Sequence, residues 1–214
     1  MAPETESPHA VSVWYIRHGE NPANLTGELS CRKVDYPLTG HGVEQAQALA
    51  ARLASEGEPG PAAIYASPLR RAAQTARILA SRLAIPVRTL EELRELDVGD
   101  LEGRSDEQAW KLYLDVAYAW QAGEHDRAYP GGEDFHRVIA RLRSALGHAL
   151  DHPPGSRVLM VAHDGLIRAA LPALCPGTAP PATGLPKCGI ARLSARGTPG
   201  GPEFALLDWP KPAA

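Results

Sequence analysis

The patterned part of the chain begins with VSVWYI, residues 11–16. This short apolar run is rich in β-branched and aromatic side chains and predicts a buried strand. The period then changes. In VEQAQALAARLASEG, Val43, Ala46, Leu49, Ala50 and Leu53 recur every three or four residues and share one helical face. AAIYAS predicts a second strand, PLRRAAQTARILASRLA a second helix with Pro68 in its first turn, and IPVRTLEEL a third strand. SDEQAWKLYLDVAYAWQAG reads as a helix that interrupts the strand–helix alternation. EDFHRVIARLRSALGHAL is amphipathic, with Val138, Leu142, Ala145 and Leu146 on its apolar side. RVLMVAH is a buried strand followed by the helix GLIRAALPAL. GIARLSA and FALLDW then close the chain as consecutive strands, expected at a sheet edge.

Alternation of this kind predicts an α/β fold: a three-layer, doubly wound, mostly parallel sheet with helices on both faces. The helix that breaks the alternation is expected to form a small helical cap insertion at about residues 104–130. Ligands of such sheets bind outside the carboxyl ends of the strands. RHG follows the first strand, SPLRRA the second and HDG the later central one, so three polar clusters are expected on one rim.

Composition narrows the setting. A chain of 214 residues, with 44% hydrophobic and 22% charged residues, suits a single domain over residues 11–214. A formal charge of −3 and the absence of a basic block argue against nucleic acid as a partner. MAPETESPHA lacks the basic start and apolar centre of a signal peptide, so residues 1–10 are expected to be a disordered tip. No segment is long and apolar enough to predict a membrane association. Cys31, Cys175 and Cys188 are scattered and odd in number. A reduced, cytoplasmic protein without a disulfide framework or zinc site is expected.

The rim carries arginines (Arg17, Arg70, Arg71), two histidines (His18, His163) and, nearby in LRELDVGDLEG, the carboxylate Glu95. Guanidinium forks match phosphate oxygens with paired hydrogen bonds, which explains Arg rather than Lys. A neutral imidazole attacks phosphorus when its other nitrogen donates to a fixed acceptor such as a backbone carbonyl. A carboxylic acid would then protonate the leaving alkoxide and later deprotonate water. Spacing alone does not choose Glu95 over Glu91, Glu92 or Asp97. No G-x-x-x-x-G-K-[ST], no G-x-G-x-x-G after a strand and no C-x5-R is present. The dipeptide His163–Asp164 raises a metal-dependent phosphohydrolase, but that site needs further His and Asp ligands on neighbouring helices, whereas this pair ends a strand.

Six ordered stretches, RHGENPAN, DYPLTGHGVEQA, SPLRRAAQTA, LRELDVGDLEG, PGGED and VAHDGLIR, resemble the motifs of the histidine phosphatase superfamily, also called phosphoglycerate-mutase-like. The resemblance runs from about Val13 to Leu171. It implies that His18 is the phosphorylated nucleophile and Glu95 the proton donor. It implies a phosphate pocket of Arg17, Asn24, Arg71 and His163. No cofactor and no metal are implied. Two positions depart from the pattern. Asp164 stands where much of the family has a small residue, so it either points away from the phosphate or meets a hydroxyl or amine of the substrate. Asp134 replaces a Ser in PGGED and fits a helix N-cap.

The resemblance implies a metal-independent phosphatase of the phosphatase branch, acting on a small phosphorylated metabolite. The alternatives are a phosphoglycerate-type mutase and a non-catalytic phosphoryl-binding module. Family mutases are generally longer after the Glu motif, whereas here that stretch is short. Arg32 and Lys33 are candidates to read a second negative group on the substrate, a solvated basic loop being the equal alternative. Trp110, Tyr113, Tyr118, Trp120 and Tyr129 are expected mostly to pack rather than to line a binding wall. Self-association is left open.

Overall fold

β1 (Val11–Arg17) is central because it is apolar on both faces, as VSVWYI implies. The computed structural model describes residues 9–57, 59–178 and 184–210, so the tip expected at residues 1–10 falls almost wholly outside the described residues. β1 pairs in parallel with β4 (Arg157–Ala162) and antiparallel with β5 (Ile190–Thr198). β2 (Ala63–Ala66) runs parallel to β4 and to β3 (Val87–Thr89), and β6 (Gly201–Asp208) is antiparallel to β5. The order is β3-β2-β4-β1-β5-β6, a mixed sheet whose four-stranded parallel part carries the crossovers.

Strand alternation splits the core into two layers. Trp14, Ile16, Ile64, Leu159 and Val161 pack against α2 (Gly40–Ser55) and α3 (Arg70–Leu83). Val13, Tyr15, Tyr65, Val158 and Met160 face the other way, toward α4 (Glu107–Gln121), α5 (Phe135–Gly147) and α6 (Asp164–Leu174). The three-layer α/β expectation therefore holds. Val138, Leu142, Ala145 and Leu146 of α5 are all fully buried. Asp134 caps α5, its Oδ1 accepting from Arg137 N at 2.9 Å. The three cysteines are buried and unpaired. Among the described residues no helix is long and apolar enough to cross a membrane.

Two boundaries differ from the periodicity. Pro68 lies outside α3, because Leu69 adopts an extended backbone that buries its side chain and the helix starts at Arg70. The third strand stops at Thr89, and a 3-10 turn over Glu91–Leu93 folds Leu93 into the core. A sixth, shorter helix, α1 by position in the chain (Pro22–Thr26), follows the RHG loop.

Candidate active site

Sheet register brings the two histidines together. Arg17 at the end of β1 pairs with Ala162 at the end of β4, so His18 and His163 are the next residues on adjacent parallel strands. Their rings lie 5.2 Å apart. Ala66 of β2 pairs with Val161, which brings Ser67 to the same rim, where its Oγ lies 2.8 Å from His163 Nε2. Tyr15 OH donates to the His163 carbonyl at 2.8 Å and accepts from its N–H at 3.2 Å. The loop after His18 crosses the start of α2 so closely that a Cβ on Gly19 would fall 2.5 Å from the Gly42 carbonyl oxygen. Glycine is required at that crossing, which accounts for Gly19 in RHG and its counterpart Gly42.

His18 is buried, 4% exposed, and its two ring nitrogens are distinct. Nδ1 lies 2.6 Å from the Gly19 carbonyl oxygen, to which it donates. Arg71 Nε donates to Nε2 at 3.2 Å. Both contacts select the Nδ1–H tautomer and leave the lone pair on Nε2. Burial, then the charges of Arg71, Arg17 and Lys187, hold the His18 pKa well below the usual histidine range, against the Gly19 hydrogen bond that raises it. His163 is lowered likewise, by burial and then by Arg71 and His18.

Near this imidazole, Arg17 Nε, Arg71 Nη1 and His163 Nδ1 are buried without a hydrogen-bond partner among the described residues, Arg71 Nη1 lying 3.6 Å from Asp35 Oδ1. Buried polar nitrogens are rarely left without a hydrogen bond, so these three are candidate partners for an anion. Arg71 is 1% exposed and is anchored at its far end, Nη2 donating to the Ser30 carbonyl at 3.0 Å. The amino termini of α3 and α6 open on the same rim and add positive potential.

Glu95 sits against the start of α6. Its Oε2 accepts from Gly165 N at 3.1 Å and its Oε1 from Leu96 N at 2.9 Å. A Cβ at Gly165 would fall 2.8 Å from both Glu95 Oε1 and Tyr113 OH, so this glycine is the floor on which the two meet. Burial raises the Glu95 pKa, with Asp164 adding to it, although the two backbone donors and Arg71 pull it down.

The Glu95 main chain is held by a network invisible in the motif spacing. Glu133 accepts from Arg141 at 2.8 and 2.9 Å, from Arg32 at 2.8 Å and from Asp97 N at 2.9 Å. Arg32 Nε and Arg141 Nη2 both donate to the Glu95 carbonyl at 3.1 Å. Burial would raise the Glu133 pKa, but the Arg141 hydrogen bonds and charge outweigh it and hold the carboxyl low. Removing one member leaves buried charge uncompensated, so Glu133→Ala is expected to cost about 3–5 kcal/mol in urea unfolding at pH 7. A folded-state pKa below the unfolded value means this stability is present above about pH 4.3 and is lost as pH falls through the lowered value. A loss smaller than about 1 kcal/mol, or one unchanged in acid, would contradict that role.

The remaining candidates separate. Asn24 is exposed on α1, where its Oδ1 accepts from Asn21 N at 3.2 Å, and among the described residues no hydrogen bond joins it to His18, Arg17, Arg71 or His163. Arg32 is committed to Glu133, Asp97 and the Glu95 carbonyl rather than presented to a substrate. Lys33 is exposed in a loop held by Glu102, which accepts from the N–H groups of Cys31, Arg32 and Val34. Asp164 faces Arg17 at 3.6 Å and Arg168 at 3.9 Å, and accepts from Leu185 N at 2.6 Å. It is thus a counter-ion to Arg17 and Arg168. Trp120 and Tyr129 are buried and pack as expected, Tyr113 stacks on Tyr129, and Tyr118 is exposed. The sequence alone singles out none of Ser67, Tyr15, Glu133 and Arg141, although Ser67 lies in SPLRRAAQTA and Glu133 in PGGED.

Fold and rim together bring two histidines, two arginines and a buried carboxylate to one edge of an α/β sheet. The family model described as the histidine phosphatase superfamily (branch 1) matches residues 13–208, and the chain belongs to that superfamily. Its relatives carry both mutase and phosphatase names. It is 34% identical over 197 residues to "Probable phosphoglycerate mutase GpmB" of Proteus mirabilis, covering 88% of this chain and 87% of the relative. The solved mycobacterial glucosyl-3-phosphoglycerate phosphatase superposes with a TM-score of 0.75 at 29% identity, over 94% of this chain and 98% of that one. The alpha-ribazole phosphatase of Shigella flexneri gives 0.65 at 26% identity, over 92% and 95%.

Proposed function

We propose that this chain is a metal-independent phosphatase that hydrolyses a small phosphate monoester through a phosphohistidine on His18. The observation that carries this reading is the His18 ring, locked by Gly19 at Nδ1 and met at Nε2 by Arg71 Nε, in a pocket that also holds buried nitrogens without a hydrogen-bond partner among the described residues. Nε2 attacks phosphorus, forming the N–P bond as the ester P–O bond breaks. Arg17, Arg71 and His163 donate to the phosphoryl oxygens, and the leaving alkoxide takes the Glu95 proton. The Glu95 carboxylate then removes a proton from water, which attacks the phosphohistidine, breaks the N–P bond and releases phosphate. In this reading α4 forms one wall of the pocket, with Tyr113 beside the acid.

Phosphatase is favoured over mutase because the segment between Gly103 and Pro130 is short and its helix is consumed in packing, with Ala109, Val116 and Trp120 buried in the core. Little of it remains to enclose a phosphoglycerate and exclude water. With 3-phosphoglycerate, and 2,3-bisphosphoglycerate as primer, little isomerisation and at most slow phosphate release are expected. Activity on a favoured ester should also survive a strong chelator. Efficient formation of 2-phosphoglycerate would overturn the phosphatase reading and leave the site residues in place.

A further inference from the structure

The segment 184–189 is stitched to the phosphate clamp on both sides of one lysine. Before it, the Leu185 carbonyl accepts from Arg17 Nη1 at 2.6 Å and Leu185 N donates to Asp164 at 2.6 Å. After it, Cys188 N donates to the Arg17 carbonyl and the Gly189 carbonyl accepts from Arg17 N, each at 3.1 Å. Cys188 has a φ of +56°, and a Cβ on Gly189 would fall 2.8 Å from the Pro186 carbonyl oxygen, so the turn is tight and fixes where Lys187 leaves the backbone. Lys187 makes no hydrogen bond or ion pair among the described residues. The two carboxylates whose charges reach it are already engaged. Asp164 serves Arg17, Arg168 and Leu185 N, and Glu20 Oε1 accepts from Thr39 Oγ1 at 2.8 Å. On its other side Lys187 lines a cavity of about 320 Å³ with Gln45, Leu49 and Arg52 of α2. A cation thus stands between the clamp and a groove that carries a second cation.

We propose that Lys187, with Arg52 and Gln45 across the groove, forms a subsite for a second anionic group, so that the substrates are phosphate monoesters that also carry a carboxylate or a further phosphate. This rests on the phosphoryl group occupying the His18 clamp. It also moves the second-anion role away from Arg32, which is consumed by Glu133. Burial, then Arg17, lower the Lys187 pKa to about 7, with Asp164 and Glu20 opposing and Arg71 adding to the decrease. Arg52 acts on the same turn from α2. A cation held next to other cations without a direct counter-ion gains most when a ligand supplies one. Only the protonated amine attracts the anion, so the preference should be full well below pH 7 and fade as pH rises through about 7.

Binding rather than turnover provides the test, because it does not depend on the fate of the ester. Affinities of methyl phosphate, 2-phosphoglycolate and ethylene glycol bisphosphate would be measured by calorimetry on wild type, Lys187→Met and Lys187→Arg. The wild type is expected to bind at least one of the two-anion ligands tenfold or more tightly than methyl phosphate. The better of the two identifies the second group as carboxylate or phosphate. Lys187→Met should erase that preference and Lys187→Arg should retain it. Equal affinities for all three ligands in the wild type would overturn the subsite. So would a preference unchanged in Lys187→Met, or one lost in Lys33→Met instead. Methyl phosphate binding that His18→Ala and Arg71→Gln do not weaken would instead sink the clamp reading and leave a Lys187-dependent preference standing.

Discussion

His18→Ala is expected to lower kcat/KM for phosphate monoesters by about 10⁴-fold or more, the scale on which loss of a covalent nucleophile is felt. The variant should fold, since the ring's hydrogen bonds among the described residues are one to the adjacent Gly19 carbonyl and one from Arg71. Thermal unfolding of the variant checks this. The same geometry sets a pH signature. Burial and the charges of Arg71, Arg17 and Lys187 hold the imidazole neutral to pH values well below the ordinary histidine range. The nucleophile therefore stays competent as pH falls, and wild-type kcat/KM for p-nitrophenyl phosphate should not decline with a histidine-like midpoint of about 6.5. A variant with activity comparable to wild type would remove His18 from the chemistry. An acid limb at the ordinary histidine value would contradict its buried, neutral state.

Glu95→Gln should produce the second-largest loss, and an uneven one. An alkoxide is a poor leaving group and needs a proton as it departs, whereas p-nitrophenolate spreads its charge and needs one far less. The loss is expected to be about 10²–10⁴-fold for an alkyl phosphate and much smaller for p-nitrophenyl phosphate. Measuring the burst of the first step isolates leaving-group departure from the later activation of water. The sign of the pH effect follows from the shift. Burial raises the Glu95 pKa, so the acid form persists to higher pH than in a free side chain. Alkyl ester cleavage should fall as pH rises through that value, and the glutamine variant should lack this limb. Equal losses for both substrates would exclude Glu95 as the acid. A selective loss in Asp97→Asn or Glu92→Gln would transfer the role to that neighbour.

Much of this site is legible in the sequence because its parts follow strand ends. An apolar run, a polar cluster and an amphipathic helix, repeated, place RHG, SPLRRA and HDG on one rim by topology alone. The pairing of Arg17 with Ala162 then turns that common edge into a 5.2 Å approach of two rings. What escapes is whatever depends on non-periodic chain. Glu133 beside two glycines carries no pattern that reveals its partners 8 and 101 residues away, Arg141 and Arg32. Arg32 looked available for a substrate for the same reason. Lys187 lies in a proline-flanked turn whose position is set by hydrogen bonds to Arg17, not by any period. Asp134 was readable because an N-cap is a local device, satisfied within three residues. Pro68 misled because helix-start statistics ignored the burial of Leu69.

The central claim is that phosphate passes through a covalent bond to His18 Nε2. Its most direct test is rapid quenching, without acid, of enzyme mixed with a substrate carrying radiolabelled phosphate, followed by peptide mapping at alkaline pH. The expected result is acid-labile, alkali-stable label on the peptide containing His18, formed within one turnover and absent from His18→Ala. Label on any other residue, label retained by His18→Ala, or a burst of product with no labelled enzyme would contradict it.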